Sequence, residues 1–455
     1  MCRKTTVLLA LLSLSSMLEL GSTHKRWSMF RSIFKIIKYK EASGGDPGQP
    51  LFLTPYIESG RAEEGRHLSL VGPLPGANVK SYSGYLTVNK THNSNLFFWF
   101  FPAQDISDYT VSERKFPWTS KFSMLYIDNP VGTGFSFTDD EKGYAENQDD
   151  VGRDLYSALI QFFQLFPDYQ KNDFYATGES YAGKYVPAIG YYIHTHNPTA
   201  KIKINFKGVA IGDGLCDPEL MLGGYAEFLY QIGLVDEKQR DYIQNQTDLG
   251  VIYIQQKKWR EAFEVCIRDP HVGLQQLKPS EHRSKQNGDK KFGMGSSIHL
   301  YSSRRGKRRR VNGEKQSEPE DQEYFGEFLA LTEVRKSIHV GNLTFHDGSE
   351  VEKHLLEDVL LYSGQLDVIV AAPLTERFLP TVPWAKVKEY KNAERTVWKI
   401  CSKDPEVAGY VRQAGDFYQV IVRGGGHILP YDQPERTLDM MDRFISGKGW
   451  KYNGY

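Results

Sequence analysis

The sequence lacks a net charge: Lys plus Arg and Asp plus Glu each number 56 in 455 residues. No global excess of either sign draws the chain to nucleic acid or to an anionic membrane surface. Cysteine is scarce, with Cys2, Cys216, Cys266 and Cys401 only, so this is no disulfide-built scaffold. The 12 histidines form no HExxH pattern and no CxxC occurs, which removes the common zinc arrangements. Neither a metal nor a cofactor is expected. Beyond the N-terminus no apolar run is long enough to span a bilayer. Glycine is plentiful at 41 residues, yet none lies between Gly84 and Gly132. There is no internal repeat.

What is present at the N-terminus reads as a signal peptide over residues 1–22. Arg3 and Lys4 precede an apolar stretch at 7–20, and Gly21, Ser22 and Thr23 offer a cleavage region. A membrane anchor is the rival reading, but Ser13, Ser15, Ser16 and Glu19 interrupt the run. The sequons at Asn89, Asn245 and Asn342 agree with a secretory route, whereas Asn197 is followed by Pro198 and does not qualify. Cleavage would remove Cys2. The remaining cysteines allow one bridge whose partners stay open. The expected location is the secretory pathway, lysosomal or endosomal or secreted, with no membrane span.

Hydrophobic residues make up 40% of the chain, enough for a large core. Strands are expected at residues 85–88, 96–101, 122–127, 174–177, 204–211, 359–363 and 418–422. Val151, Leu155, Leu159, Phe162 and Phe166 recur at helical spacing. Helices are also expected through Tyr185, Ile189, Tyr192 and Ile193, and through Leu438, Met441, Phe444 and Ile445. Strands alternating with helices predict an α/β fold, a mainly parallel sheet with helices on both faces. Its first part spans 23–215 and its second 324–455. Between them lie a helical cap insertion at 216–278 and a polar, basic loop at 279–323. That loop carries Arg304-Arg-Gly-Lys-Arg-Arg-Arg310 and is expected to stay disordered for want of apolar surface.

Gly178-Glu-Ser-Tyr-Ala182 sits where a strand runs into a helix. This is the requirement of a nucleophile elbow, in which small residues on either side let neighbouring backbone approach a strained, exposed serine. Ser180 is the candidate nucleophile. The Tyr181 N–H, at the helix N-terminus, is the candidate oxyanion donor. A serine needs a base and an orienting carboxylate. In this fold they follow in the order Ser, Asp or Glu, His, each on a loop after a strand. Asp367 and His427 meet that order, and the glycines at 424–426 let the histidine loop bend. Alone, each is explained as an ordinary loop residue; order and placement together favour a triad.

Gly178-Glu-Ser-Tyr-Ala-Gly-Lys-Tyr-Val-Pro187 resembles the serine carboxypeptidase signature. Asp128-Asn-Pro-Val-Gly-Thr-Gly-Phe-Ser-Phe137, Tyr362-Ser-Gly-Gln-Leu-Asp367 and Gly424-Gly-Gly-His-Ile-Leu-Pro430 are similar to other blocks of that family, in order. The resemblance is nearest to the vitellogenic-like branch and covers residues 46–450 apart from 279–323. It implies an α/β-hydrolase fold and removal of C-terminal residues from peptides at acidic pH. It also implies a substrate-binding Glu179 that meets the terminal carboxylate by sharing a proton. Peptide or protein C-termini are the implied partners, and a homodimer is allowed.

The family also carries a Trp-Leu-(Asn or Gln)-Gly-Gly-Pro-Gly-type turn that ends a central strand and supplies the second oxyanion N–H. This chain has no such turn between Phe97 and Asp128. A shorter gap is expected before Val359, and family cysteines between 247 and 330 are missing. Without the strand, its neighbours are expected to lack ladder partners. The alternatives are therefore a non-catalytic secreted binding or stabilising protein on the same scaffold, or an esterase or acyltransferase.

Overall fold

A computed structural model describes residues 7–12, 46–75, 79–103, 116–259, 331–343, 359–401 and 404–450, with short pieces at 261–262, 265, 329 and 346–347. The expected polar loop at 279–323 lies outside the described residues, as does Cys266. The strands in chain order are β1 (Val7–Leu12), β2 (Tyr82–Asn89), β3 (Ser94–Phe101), β4 (Ser123–Asp128), β5 (Thr133–Gly134) and β6 (Phe174–Glu179). They continue with β7 (Phe206–Gly212), β8 (His346–Asp347), β9 (Val359–Gly364), β10 (Thr396–Trp398), β11 (Gly409–Ala414) and β12 (Phe417–Val422).

All but β5 and β8 form one 10-stranded sheet in the order β10-β11-β12-β9-β7-β6-β1-β4-β3-β2. From β12 to β4 every neighbour pair is parallel, and antiparallel strands flank both ends. This is the α/β-hydrolase architecture. The apolar runs in β3 and β4 fit a sheet covered on both faces. The short β10 and the polar-interrupted β11, which the sequence pattern did not signal, lie at one margin, where burial imposes little apolar periodicity.

The helix Gln148–Leu165 shows how sequence becomes packing. Asn147 caps it by accepting the Asp150 N–H at 3.0 Å, and Asp149 and Asp150 suit the positive end of its dipole. Val151, Leu155, Leu159 and Phe162 are fully buried. Phe162 meets Phe100 with ring centroids 4.9 Å apart, so truncating it to Ala would cost about 3–5 kcal/mol. On the other face, the helix Pro434–Ser446 buries Leu438, Met440 and Met441, and Phe444 lies against Tyr175 at 5.6 Å. The sheet is thus sandwiched, with a larger core on one side and the cluster around Trp398 and Tyr362 on the other.

One expectation is corrected here. β4 and β6 do not lack ladder partners: β1 lies between them, pairing Val7–Leu12 with residues 123–128 on one side and Val7–Leu11 with residues 174–178 on the other. The segment read as a leader occupies the place of the missing central strand. The physical reason is the high cost of two rows of unpaired backbone N–H and C=O groups in the middle of a sheet.

After β7 the described residues form the helices Pro218–Leu222, Tyr225–Gln231 and Glu237–Gln255. Asp236 and Gln239 form a capping box at the start of the last of these. The insertion is tied to the second half of the sheet by Tyr225 Oη, which donates to Val368 O at 2.8 Å. Among the described residues no helix is long and apolar enough to cross a membrane.

Candidate active site

β6 ends at Glu179 and the helix Ala182–His196 begins two residues past Ser180. The reversal puts Ser180 at φ 59, a left-handed conformation that costs a non-glycine residue about 1 kcal/mol or more. Backbone bonds on both sides hold it there. Ser180 N–H donates to Gly212 O at 2.9 Å, and the Gly183 and Leu215 N–H groups donate to Ser180 O at 3.0 and 2.9 Å. Gly183 is required by contact: a Cβ there would stand 2.8 Å from Leu215 N. Tyr181 caps the helix, so its N–H belongs to the first turn, which has no intrahelical acceptor.

Asp367 and His427 converge on this serine from loops after β9 and β12. His427 Nε2 lies 2.9 Å from Ser180 Oγ, and its Nδ1 lies 3.0 Å from Asp367 Oδ2. The Asp367 carboxylate is buried and accepts the Ile369 N–H at 2.8 Å and the Val370 N–H at 3.1 Å. Residues 247 positions apart in sequence thus form one hydrogen-bonded line. The two loops are stitched together, with Leu366 N–H donating to Gly425 O at 2.8 Å and Gln365 N–H to Val422 O at 3.0 Å. Asp432 Oδ2 accepts the Gly426 N–H at 2.7 Å and braces the histidine loop from behind.

Glu179, adjacent to the serine, accepts from Tyr362 Oη at 3.3 Å. Burial first, and then the charge of Glu179, push the Tyr362 phenol well above its usual range, so it remains a donor. Asn245 and Asn342 are exposed and Asn89 is partly covered. Cys216 is a free thiol that burial pushes up to about 12, so it is no nucleophile.

Three further groups at the centre were not singled out from the sequence. Asp213 follows β7 and is fully buried beside Asp367. Tyr362 lies within a quoted motif without a role assigned to it. Gly364 is where the two loops nearly touch. Asp213 had a signal, as an acidic residue at the C-terminal end of a parallel strand, where ligands and catalytic groups gather in such sheets. Asp213, Asp367 and His427 are also the His and acidic groups whose ligand atoms cluster among the described residues. Both His427 nitrogens are already engaged, by Asp367 and Ser180, so the set has the chemistry of a hydrogen-bond relay rather than of a cation site.

Comparison with known proteins gives the lineage. The family model "Serine carboxypeptidase" matches residues 73–110 and 105–447. Human "Probable serine carboxypeptidase CPVL" is 54% identical over 471 aligned positions, covering 93% of this chain and 94% of that protein. The venom serine carboxypeptidase of Apis mellifera is 40% identical, covering 89% of this chain and 92% of its own length. The vitellogenic carboxypeptidase of Aedes aegypti is 36% identical, covering 88% and 90%. In fold, the crystal structure of Kex1(Δ)p, a prohormone-processing carboxypeptidase from Saccharomyces cerevisiae, is similar with TM-score 0.63 at 18% identity, covering 84% of this chain and 95% of that one.

The human alignment is longer than this chain's 455 residues, so the relative carries residues for which this chain has none. The two pieces of the family match meet at 105–110, in the stretch where the glycine turn is missing. With the family matched across most of its length, the chain belongs to the serine carboxypeptidases and is, by that resemblance, a serine-type hydrolase.

Proposed function

We propose that the protein removes residues from the C-termini of peptides, with Ser180 as nucleophile, His427 as base and acid, Asp367 as orienting carboxylate, Tyr181 N–H as oxyanion donor and Glu179 as binder of the terminal carboxylate. The observation that carries this is the hydrogen-bonded line Ser180–His427–Asp367. Ser180 Oγ attacks the carbonyl carbon of the last peptide bond as its proton passes to His427 Nε2. Asp367 stabilises the imidazolium through Nδ1–H. The oxyanion develops against the Tyr181 N–H at the positive end of a helix. Collapse releases the terminal amino acid, whose amine takes the proton from His427, and leaves an acyl-enzyme. Water, activated by the same histidine, then frees the shortened peptide.

Acidic pH suits this reading for two reasons. Glu179 meets a substrate carboxylate without repulsion only when the pair shares a proton. Burial also raises Asp128 to about 7 and Asp154 to about 6. A carboxyl raised in the folded state contributes stability that is full at low pH and is lost as pH rises through the folded value. Passage through the secretory pathway to an acidic or extracellular compartment, with glycans on Asn89, Asn245 and Asn342, fits the sequons.

The break in the family match at 105–110 favours a second reading, a scaffold retained for binding without turnover. Loss of one oxyanion donor costs on the order of a hundredfold or more in rate. A fluorophosphonate probe at about pH 5 separates the two, since it needs an activated serine but no terminal carboxylate. Labelling of the wild type and none of S180A supports the enzyme. A folded wild type that stays unlabelled supports the binding scaffold.

A further inference from the structure

Asp213 stands one residue past β7, fully buried, at φ 42. Like Ser180, it is in the left-handed region, which aspartate enters more readily than most side chains. Its N–H donates to Tyr362 O at 2.8 Å, and its Oδ1 accepts the Gly364 N–H at 2.8 Å. These bonds tie it to the strand that carries the Asp367 loop. Among the described residues, no donor satisfies its Oδ2. Yet a carboxyl oxygen of Asp213, one of Asp367 and a ring nitrogen of His427 lie within 4.8 Å of one another, and the two carboxyl groups are within hydrogen-bonding reach.

Two carboxylates so close and so deeply buried cannot both ionise. Asp367 accepts two backbone N–H groups and faces the imidazole, so it holds the charge. Asp213 has one N–H donor and an orphaned oxygen, so it holds the proton. That proton resolves the orphan, because Oδ2 becomes a donor instead of an unsatisfied acceptor. We propose that Asp213 is a positioning residue whose protonated carboxyl donates Oδ2–H to the Asp367 carboxylate and so fixes Asp367 beneath His427 Nδ1.

The charged and titratable groups facing Asp213 are Asp367 on the loop after β9, Glu179 at the end of β6, Tyr362 on β9 and His427 on the loop after β12. Burial first, and then Asp367 and Glu179, hold its carboxyl well above the usual carboxylate range. The kinetic consequence rests on the Ser180 reading proposed above, whereas the protonation itself does not.

The test compares D213N, whose amide keeps an acceptor for Gly364 N–H and a donor for Asp367, with D213A, which keeps neither. In infrared difference spectra at neutral pH, the wild type shows a buried carboxylic-acid C=O band that D213N lacks. On thermal melting, the Tm of D213N relative to wild type rises with pH, because the amide cannot ionise. At about pH 5, D213N reacts with the fluorophosphonate at least about tenfold faster than D213A, as expected for a hydrogen bond to a charged group. Identical infrared spectra of wild type and D213N, or, where the wild type labels, equal labelling of D213N and D213A, overturn the proposal. An acid band without any labelling of the wild type supports the proton on Asp213 and sinks the Ser180 enzyme reading instead.

Discussion

Gly364 and Gly426 come so close that a Cβ on Gly364 would stand 2.2 Å from the Gly426 carbonyl oxygen. The loops carrying Asp367 and His427 are therefore not merely neighbours; their backbones are in contact beneath those two side chains. Only a residue without a side chain permits that approach.

The first prediction follows from that contact. G364A must push the two loops apart, and a displacement of about 1 Å at a catalytic group costs on the order of a hundredfold. The expected outcome is a fluorophosphonate labelling rate lowered by about that factor, with far-ultraviolet circular dichroism unchanged. A variant that labels at the wild-type rate would show that the loops relax freely.

Asp367 offers a sharper test of roles. D367N keeps the shape of the side chain but favours the wrong imidazole tautomer, and should slow turnover by about 10⁴-fold. Residual activity close to wild type would remove Asp367 from the mechanism. Rate against pH, measured on any peptide the wild type trims, is the readout.

Asp128 gives a stability prediction that does not depend on activity. Its carboxyl, largely shielded from water, accepts the Phe135 N–H at 2.7 Å, and burial raises it from 3.8 to about 7. Below about pH 4 the side chain is neutral in both folded and unfolded chains, and its relative contribution to stability is complete. Between about pH 4 and 7 the unfolded chain ionises and the folded one does not, so stability is lost across that window. D128N should therefore gain in Tm over wild type through this window and hold a constant advantage above it. Parallel Tm curves from pH 4 to 8 would refute the assignment.

The β1 strand is tested through its backbone. Leu9 is paired with Leu125 on one side and Ala176 on the other. L9P removes a ladder N–H from a central position, where proline is not tolerated. In the full chain this should lower the denaturation midpoint and raise amide exchange in β4 and β6. Removing residues 1–22 should have at least as large an effect. If neither change alters exchange in β4 or β6, then β1 is dispensable. Sequencing the N-terminus of the expressed protein tells which form is produced, since a cleaved leader cannot also be a central strand.

The legible parts of the fold were those in which local pattern and tertiary burial agree. The stripe from Val151 to Phe162 faces the core, and residues 96–101 form β3, because a strand or helix buried along its length must be apolar at the matching period. The positions of Ser180, Asp367 and His427 at a strand-to-helix reversal and on strand-end loops were readable because such sites have local sequence requirements. β1 was not readable as a strand. A short apolar run carries no mark of which sheet neighbours need it, and leader peptides and buried strands share that composition.

The sequence by itself determined the lineage, the alternation of strand and helix, the serine at the elbow and the order of its partners. It also determined that the glycine turn is missing, since a gap in a motif is a property of the chain alone. Only the tertiary structure decided that Asp213 lies against Asp367, that Gly364 touches Gly426, and that Val7–Leu12 lies between β4 and β6. Each of these is a contact between segments distant in the chain. Such contacts are selected by which buried polar groups and unpaired backbone edges need satisfying once the sheet has formed, and no local pattern encodes them.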